Sequence, residues 1–600
     1  ILATDRRSAS ILLVLCHCLS SSALPNLTNL RYHFPSLEGA YRGSTAAPSS
    51  CNNSDMSSTT LKWQIALGLG AVGAVGLAYW YLKTSNKQTL QKLENIMEPQ
   101  KEETPFNLAQ RYKSEGNEMF KRGKYDEAIQ MYNKAIETIP AEYKADLATY
   151  YQNRAAAYEQ LKKWSSVIAD CSKAIDLNNR YEKALYRRAK AEEMTKDWVN
   201  ALDDITSVCL LQNFSNQSAL LMADRVLKEL GKKNAAEAMK NKKPIIPSKN
   251  FIKTYFSSFS ADPVYKKLME ASEPLGLGDL KGFLKAKLAF ATEKYEEIIA
   301  ACTEELNLSE SESIYKLEAL SLRGSFYFLT GQFSEAIDDL TTIIEDKDAD
   351  ELFKVNALIK RSSIYMQTEK IQECLDDFDK AVELGPEISD VYHHRGQVKL
   401  LMDKTDEARQ DFKKAVDLNP DFPLAVVQKC YSDYRHAMQS QDAFLLAQAM
   451  QDFRKSIERF PSCPETYILF AQVKTEKQEF QEAEELYKKA MEIDANNASI
   501  YVHRGLLLLQ WKGEIEKAVE LMKEGIKIDE KSEFAYETLG TVEVQRGNLV
   551  LAIDLFNKAI ALARSEMEMV HLFSLRDAAS SQLKIANKLG VGPDLLKGVS

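Results

Sequence analysis

The chain has 600 residues, a formal net charge of -9, and 27% charged residues. That length exceeds what one hydrophobic core supports, so the chain must form several domains or an array of repeats. Without a concentrated basic face, an acidic chain is not expected to bind nucleic acid. Its nine cysteines, spread from Cys16 to Cys463 without paired spacing across the repeats, indicate reduced thiols packed between helices rather than disulfides or a metal site.

Residues 1–55 are a Ser- and Asn-rich stretch without repeats, and the first methionine is Met56. We predict that native translation starts at Met56 and that residues 1–55 are a disordered or non-native leader. The alternative is a secretory signal, because Arg6-Arg7 precedes the apolar run SASILLVLCHCLSSSALP. That alternative would send the cysteine-bearing repeats into an oxidising compartment.

An uncharged run from Ile65 to Leu82, IALGLGAVGAVGLAYWYL, comes next. As a helix it would cover about 27 Å, close to the hydrocarbon thickness of a bilayer, so we predict a transmembrane anchor at 63–82. Lys83, Lys87 and Lys92 follow it, and this basic bias predicts that the bulk of the chain faces the cytosol. Residues 83–107 are predicted to be a polar tether.

A size pattern recurs after the tether: a small residue, an alanine, an aromatic residue, a second alanine and a proline at fixed spacing. The clearest copy is Gly116, Ala128, Tyr132, Ala135 and Pro140. Antiparallel helices approach closely only where side chains are small, and proline ends the second helix. The pattern resembles the tetratricopeptide repeat, which implies an all-α superhelix of about eleven helical hairpins behind one N-terminal transmembrane helix.

The recurring pattern residues set the boundaries of the repeats, which fall into two blocks. The first block, 109–215, contains repeats at 109–142, 148–181 and 182–215. The second block, 279–566, contains eight, at 279–312, 317–350, 355–388, 389–422, 423–463, 464–497, 498–532 and 533–566. The 423–463 repeat carries about seven extra residues relative to the usual period, which we place in its first helix or in the turn near Ser440-Gln441-Asp442.

Two segments flank the second block. Residues 216–278 are predicted to form a connecting helix, ending at Gly231, and then a hinge in the proline-broken stretch NKKPIIPSKNFIKTYFSSF and Pro274-Leu275-Gly276. Residues 567–600 are predicted to be a capping helix and tail, with a helix from Glu566 to Leu589 that covers the exposed face of the last repeat.

Five polar residues fall on the first helices of the first block. Counted within the repeats, they occupy positions 5 and 9 of the first, 6 of the second, and 2 and 6 of the third. They are Lys113, Asn117, Asn153, Lys183 and Arg187. First helices line the concave wall, so we predict that these groups surround one space. Cations bind carboxylates through charge-assisted hydrogen bonds, and asparagine amides can hold a peptide backbone. Each residue alone is typical of a solvated helix face, but the set in register predicts a clamp.

The spacing K-x-x-x-N, then N, then K-x-x-x-R resembles the dicarboxylate clamp of tetratricopeptide co-chaperones. That resemblance implies a ligand, the C-terminal Glu-Glu-Val-Asp tail of the cytosolic heat-shock chaperones of the seventy- and ninety-kilodalton classes.

The first helices of the last repeats are apolar with acidic points instead. The predicted precursor groove consists of Glu465, Leu469, His503, Leu506, Phe534 and Glu537. Such a wall is complementary to a helix that is apolar on one face and basic on the other, or to internal apolar segments. The alternative is that tight winding of the superhelix buries these residues against one another.

The order of anchor, three-repeat clamp, insert IIPSKNFIKTYFSSF and eight further repeats resembles the seventy-kilodalton import receptors of the mitochondrial outer membrane. Strings such as DVYHHRGQVKLL strengthen the resemblance, which covers Met56 to Leu596. It implies a receptor that docks chaperones, binds mitochondrial precursor proteins with internal signals, and works with other translocase subunits at the import pore. It also implies that Glu465 is the acidic groove residue that pairs with a basic side chain of the precursor.

Two other functions stay open. A chaperone-docking scaffold at the endoplasmic reticulum membrane could use the same clamp and the same kind of anchor. An enzyme is the second, but the chain contains no P-loop, G-x-S-x-G or H-E-x-x-H motif and no Cys–His metal spacing. We therefore predict no catalytic residue, metal site or cofactor.

Overall fold

The computed structural model describes residues 103–269, 280–309 and 313–590. The predicted leader, the anchor, most of the tether, the Pro274-Leu275-Gly276 stretch and the last ten residues lie outside this part. Within it, every regular element is a helix, with 26 α-helices and one short 3-10 helix. No helix of the described part is long and apolar enough to cross a membrane. The all-α repeat fold is confirmed.

The chain divides into two compact units between Lys163 and Trp164. The N-terminal unit, described from residue 103, contains α1 (Pro105–Lys121), α2 (Tyr125–Thr138) and α3 (Lys144–Gln160). Helix α1 begins inside the predicted tether, because the Thr104 hydroxyl caps it by accepting a hydrogen bond from the N–H of Asn107. The boundary between the units falls inside the predicted 148–181 repeat.

The C-terminal unit, described up to residue 590, begins with α4 (Trp164–Leu177). It continues with the hairpin α5 (Glu182–Met194) and α6 (Trp198–Leu211), then with the connecting helices α7 (Gln217–Met239), α8 (Lys249–Ser257) and α9 (Pro263–Met269).

Eight hairpins follow, one for each predicted repeat of the second block. They are α10 (Gly282–Ala291) with α11 (Ile298–Leu306), α12 (Lys316–Leu329) with α13 (Phe333–Glu345), α14 (Glu351–Gln367) with α15 (Ile371–Leu384), α16 (Ser389–Leu401) with α17 (Thr405–Leu418), α18 (Pro423–Ser440) with α19 (Ala443–Arg459), α20 (Pro464–Glu476) with α21 (Phe480–Ile493), α22 (Ala498–Lys512) with α23 (Ile515–Ile528), and α24 (Glu533–Gln545) with α25 (Leu549–Leu562). The described chain ends with α26 (Glu566–Leu589).

The hairpin α18–α19 is the elongated one. Its helices have 18 and 17 residues, and the chain reverses at Gln441, which has a left-handed φ of 55°. Asp442 then caps α19 by accepting hydrogen bonds from the N–H groups of Phe444 and Leu445. The extra residues therefore lengthen the hairpin around the turn that the sequence indicated.

The small residue of the repeat pattern lies against the aromatic residue of the same hairpin. A Cβ placed on Gly540 would lie 2.7 Å from Cε1 of Phe556, and one on Gly396 would lie 3.0 Å from the ring of Phe412. These distances are shorter than ordinary van der Waals contact, so in these two hairpins the ring or the helix would have to shift to accept a larger residue.

An arginine at position 7 and an aspartate at position 23 also join the two helices of several hairpins. In each pair the guanidinium donates to both carboxylate oxygens, which fixes one helix on the other with a bidentate geometry. The pairs are Arg188–Asp204, Arg323–Asp339, Arg361–Asp377 and Arg395–Asp411.

The part of the predicted hinge that the structure describes is folded against the second block. Ile252, Phe256, Phe259, Val264 and Leu268 are all buried there, in the hydrophobic clusters that α12, α14 and α16 supply. Burying one large apolar side chain contributes roughly 1.5–3 kcal/mol. The free energy gained by burying five such side chains offsets a large part of the entropic cost of fixing the backbone of the segment.

Helix α26 does more than cover the last repeat. It starts with a capping box between Ser565 and Glu568, packs on α25, and also packs on α7 and α6 at the other end of the unit. Asn234 of α7 donates to Asp577 of α26 at 2.7 Å. The helix therefore connects the last repeat directly to the connecting helix.

The described cysteines fit the prediction of packed thiols. Cys171, Cys209, Cys302, Cys374 and Cys430 are buried, Cys463 is half-buried, and all six are free thiols. Burial raises the pKa of the Cys171 and Cys374 thiols to about 12, so both stay protonated and unreactive at neutral pH.

Candidate peptide-binding sites

In the N-terminal unit, the structure brings together two of the predicted clamp residues. The Asn117 side-chain oxygen accepts hydrogen bonds from the Tyr132 hydroxyl at 2.8 Å and from the Asn153 amide nitrogen at 3.3 Å. Both bonds use the oxygen, so the two N–H donors of the Asn117 amide are not engaged in them. Lys113 lies one turn earlier on the same helix and is half-buried.

In the C-terminal unit, α5 carries the two cationic clamp residues. Lys183 is exposed and Arg187 is half-buried, and their spacing of four residues puts them on one face of the helix. The next residue, Arg188, binds Asp204 through Nε and Nη2 at 2.6 and 2.8 Å. That pair fixes the rotation of α5 on α6, and so it fixes the direction in which the neighbouring Arg187 leaves the helix.

The same two helix positions hold a carboxylate elsewhere in this unit. Positions 2 and 6 of the 355–388 repeat are Asn356 and Lys360. Lys360 Nζ lies 2.8 Å from Asp262 Oδ2, and the Asn356 amide donates to the same oxygen at 3.4 Å. Lys360 and Asp262 are both almost completely buried, with side-chain exposures of 1% and 0%.

The electrostatics of this site favour the charged carboxylate. Burial alone would raise the pKa of Asp262, but the charge and hydrogen bond of Lys360 oppose it, as do the N–H groups of Val264 and Tyr265. The balance lowers the pKa of Asp262 below its usual value. Asp262 is therefore ionised in the folded protein.

The neighbouring repeats bind the same stretch of chain through equivalent positions. At position 2 of the 317–350 repeat, Glu318 pairs with Lys267. At position 2 of the 389–422 repeat, Asp390 accepts hydrogen bonds from Ser260 and from the N–H of Ala261, at 2.6 to 2.9 Å. Three successive first helices therefore bind residues 260–267 as a peptide. We call the face formed by positions 2, 5, 6 and 9 of the first helices the A-helix wall.

The predicted precursor groove lies on the A-helix wall of the last repeats. Glu465, His503, Leu506, Phe534 and Glu537 are half-buried, which leaves part of each side chain in contact with solvent. The rings of His503 and Phe534 lie 5.2 Å apart and join two successive repeats. Glu465 accepts a hydrogen bond from the Cys463 thiol at 3.2 Å.

Leu469 differs from the other five predicted groove residues. It is only 6% exposed and packs in the core with Phe453, Phe470 and Val473. The reason is its place beside the elongated hairpin, whose aromatic residues fill the space between the repeats. Leu469 therefore contributes to the packing between the repeats and does not form part of the exposed surface of the wall.

The acidic groove residue Glu537 has a partner within the chain. The Nε2 atom of His571, on helix α26, lies 2.9 Å from a carboxylate oxygen of Glu537. His571 is 6% exposed, so helix α26 closes the A-helix wall at this end.

Sequence reasoning missed the Arg–Asp pairs and the binding of Asp262. The Arg–Asp pairs had a usable signal, because arginine and aspartate recur sixteen residues apart in four repeats. The binding of Asp262 had none, since Asn356 lies 94 residues further along the chain and nothing in either segment repeats.

The chain is similar to several known proteins. The tetratricopeptide-repeat family model matches residues 114–142, 389–422 and 464–497. The mitochondrial import receptor subunit TOM70 of Rattus norvegicus is 42% identical over 592 residues, which cover 92% of this chain and 96% of the relative. TOM70 of Homo sapiens is 42% identical over 574 residues, covering 89% and 94%. The crystal structure of yeast Tom70 is 25% identical over 81% of this chain and 99% of that chain, with a TM-score of 0.43.

Proposed function

The chain belongs to the TOM70 family of mitochondrial import receptors, and we propose how it performs that role. It is a single-pass receptor of the mitochondrial outer membrane with most of its residues in the cytosol. It docks cytosolic chaperones by their C-terminal tails and binds precursor proteins with internal targeting signals. It then passes them to the import pore together with other translocase subunits.

One observation carries the chaperone half of this proposal: the binding of Asp262 by Asn356 and Lys360. Those residues occupy positions 2 and 6 of their repeat, and Lys183 and Arg187 occupy positions 2 and 6 of theirs. A first helix of this chain therefore has the geometry to hold a carboxylate with these two positions. At Lys183 and Arg187 we propose that the carboxylate comes from a chaperone tail, and the amides of Asn117 and Asn153 stay the predicted donors to its backbone.

Substitution of Arg187 tests the tail site. Arg187→Ala removes a charged donor and should weaken binding of a Glu-Glu-Val-Asp peptide by about 2 kcal/mol, roughly 30-fold. Isothermal titration calorimetry on the protein measures this loss of peptide affinity directly. Arg187→Lys keeps the charge but loses the planar guanidinium, so the affinity of this variant should lie between those of the unsubstituted protein and Arg187→Ala.

The matched control is Arg225→Ala. Arg225 is an exposed arginine of the same unit that pairs with Glu193, so its loss should leave peptide affinity within twofold. Equal affinity of Arg187→Ala and Arg225→Ala would remove Arg187 from the tail site.

The precursor half of the proposal is supported by the partly exposed apolar and acidic wall of the last repeats. Glu465→Arg reverses the charge that would attract a basic targeting segment, and we expect at least tenfold weaker binding of such a peptide with unchanged tail binding. Glu485→Arg is the control, because Glu485 is an exposed residue on the second helix of the same repeat. Equal losses in both variants would show that only the overall charge matters.

The membrane assignment is tested separately, because residues 56–92 lie outside the described part. Fluorescence microscopy of a fusion of Met56–Lys92 should give mitochondrial staining. Reticular staining would favour the alternative scaffold at the endoplasmic reticulum.

A further inference from the structure

Residues 259–267 occupy the A-helix wall of three successive repeats. Phe259 lies against His394, with ring centroids 4.4 Å apart, at position 6 of the 389–422 repeat. Asp262 is bound at the 355–388 repeat, and Lys267 at the 317–350 repeat. The segment therefore runs opposite to the order of the repeats and contacts at least one polar wall residue in each of them.

The wall beyond this segment is exposed in part. Ile468 and Gln472 of the 464–497 repeat and His503 and Leu506 of the 498–532 repeat are all half-buried. At the far end, the contact between His571 and Glu537 brings helix α26 onto the wall of the last repeat. The accessible stretch thus lies between an internal peptide on one side and the capping helix on the other.

Resting on the proposed function, we infer that this stretch is the whole precursor site. The segment 259–267 is a built-in peptide ligand that keeps external peptides off the wall of α12, α14 and α16. A precursor therefore engages only the wall of α18, α20, α22 and α24. The partner is one helical segment that is apolar on one face and carries a basic side chain opposite Glu465.

The length of that segment follows from helix packing. Four adjacent helices spaced 8–10 Å apart span roughly 24–30 Å. An α-helix rises 1.5 Å per residue, so about 16–20 residues cross this distance. Longer precursor segments make no further contacts with the wall.

The internal ligand is held too firmly to act as a displaceable lid. Displacing it would leave the buried Lys360 ammonium without its carboxylate, and it would expose Phe259 and Val264, which are both buried. An uncompensated buried charge strongly opposes such a state. An incoming peptide would have to supply both a carboxylate and the apolar side chains at the same positions.

Photo-crosslinking on the full chain tests where a precursor lies. A benzophenone amino acid replaces Gln472 on the accessible wall or, in a matched variant, Ser257, which is exposed on helix α8. The probe is a synthetic amphipathic basic peptide of 20 residues. We expect crosslinks from position 472 at least tenfold above those from position 257, and comparable yields would overturn the inference.

A series of peptides from 8 to 28 residues tests the length limit. Affinity should rise up to about 20 residues and then stay within twofold, because the wall ends at both sides. A further tenfold gain between 20 and 28 residues would overturn the inference. If no peptide of any length binds, the proposed precursor-binding function itself fails, whereas binding with crosslinks at 257 rejects only the confinement to the last repeats.

Discussion

Loss of the Asp262 carboxylate should release the connecting segment from the second block. In Asp262→Ala the ammonium of Lys360 stays buried beside the rings of Phe256 and Phe259, 5.8 and 5.5 Å from their centroids. Removing one partner of a buried ion pair costs about 3–5 kcal/mol. In the double variant Asp262→Ala/Lys360→Met no buried charge remains, so stability should return to within about 1–2 kcal/mol of the unsubstituted protein.

Hydrogen exchange measured by mass spectrometry is the suitable assay, because a repeat array does not unfold in one step. A loss of about 3–5 kcal/mol speeds exchange of the peptides covering 249–269 by about 10²-fold to 4 × 10³-fold. Glu237→Ala, which breaks the exposed pair with Lys240, is the matched control and should leave this exchange unchanged. The reasoning is refuted if Asp262→Ala exchanges like the control, or if the double variant is as unprotected as the single one.

The pH dependence of this protection has a definite sign. The folded pKa of Asp262 is lowered, so its contribution is complete above the unfolded pKa of about 3.8–3.9 and disappears as the pH falls through the lower folded value. Protection of 249–269 at pH 5 should therefore match that at pH 7 as far as Asp262 is concerned.

Two other substitutions test the packing. Burial, followed by the nearby charge of Asp204, raises the pKa of Glu192 to about 8, so its folded form is protonated while the unfolded chain ionises above about 4.5. The stability of the α5–α6 hairpin is therefore lost as the pH rises from about 4.5 to 8. Glu192→Gln should raise the free energy of local opening of this hairpin at pH 8 by about 1–3 kcal/mol and flatten its pH dependence in hydrogen exchange; an unchanged pH dependence would exclude the assignment. Gly540→Ala places a methyl group 2.7 Å from Phe556 and should lower the free energy of local opening of the α24–α25 hairpin by about 1–3 kcal/mol. Unchanged hydrogen exchange of this hairpin would show that the ring moves aside freely.

The sequence by itself determined the repeat architecture, because each hairpin is a local structure whose helix ends and close contacts are marked by its own residues. Gly540 and Phe556 lie sixteen residues apart, and a small and a large residue at this recurring spacing indicate a close contact between two helices. The position of the long hairpin α18–α19 followed from the spacing of prolines. The cationic pair on α5 and the acidic points of the last repeats were also readable, since counting within a periodic repeat assigns each residue to a helix face.

Only the tertiary structure decided which parts of the A-helix wall are accessible. The segment that the sequence indicated as a hinge contains the aspartate that Lys360 binds, and Leu469 lies in the core although its position in the repeat equals that of His503. Helix α26 pairs with α7, hundreds of residues earlier in the chain. These contacts join non-repeating segments that are far apart in sequence, so the repeat periodicity cannot predict them. They also depend on which surfaces the stacked repeats leave exposed.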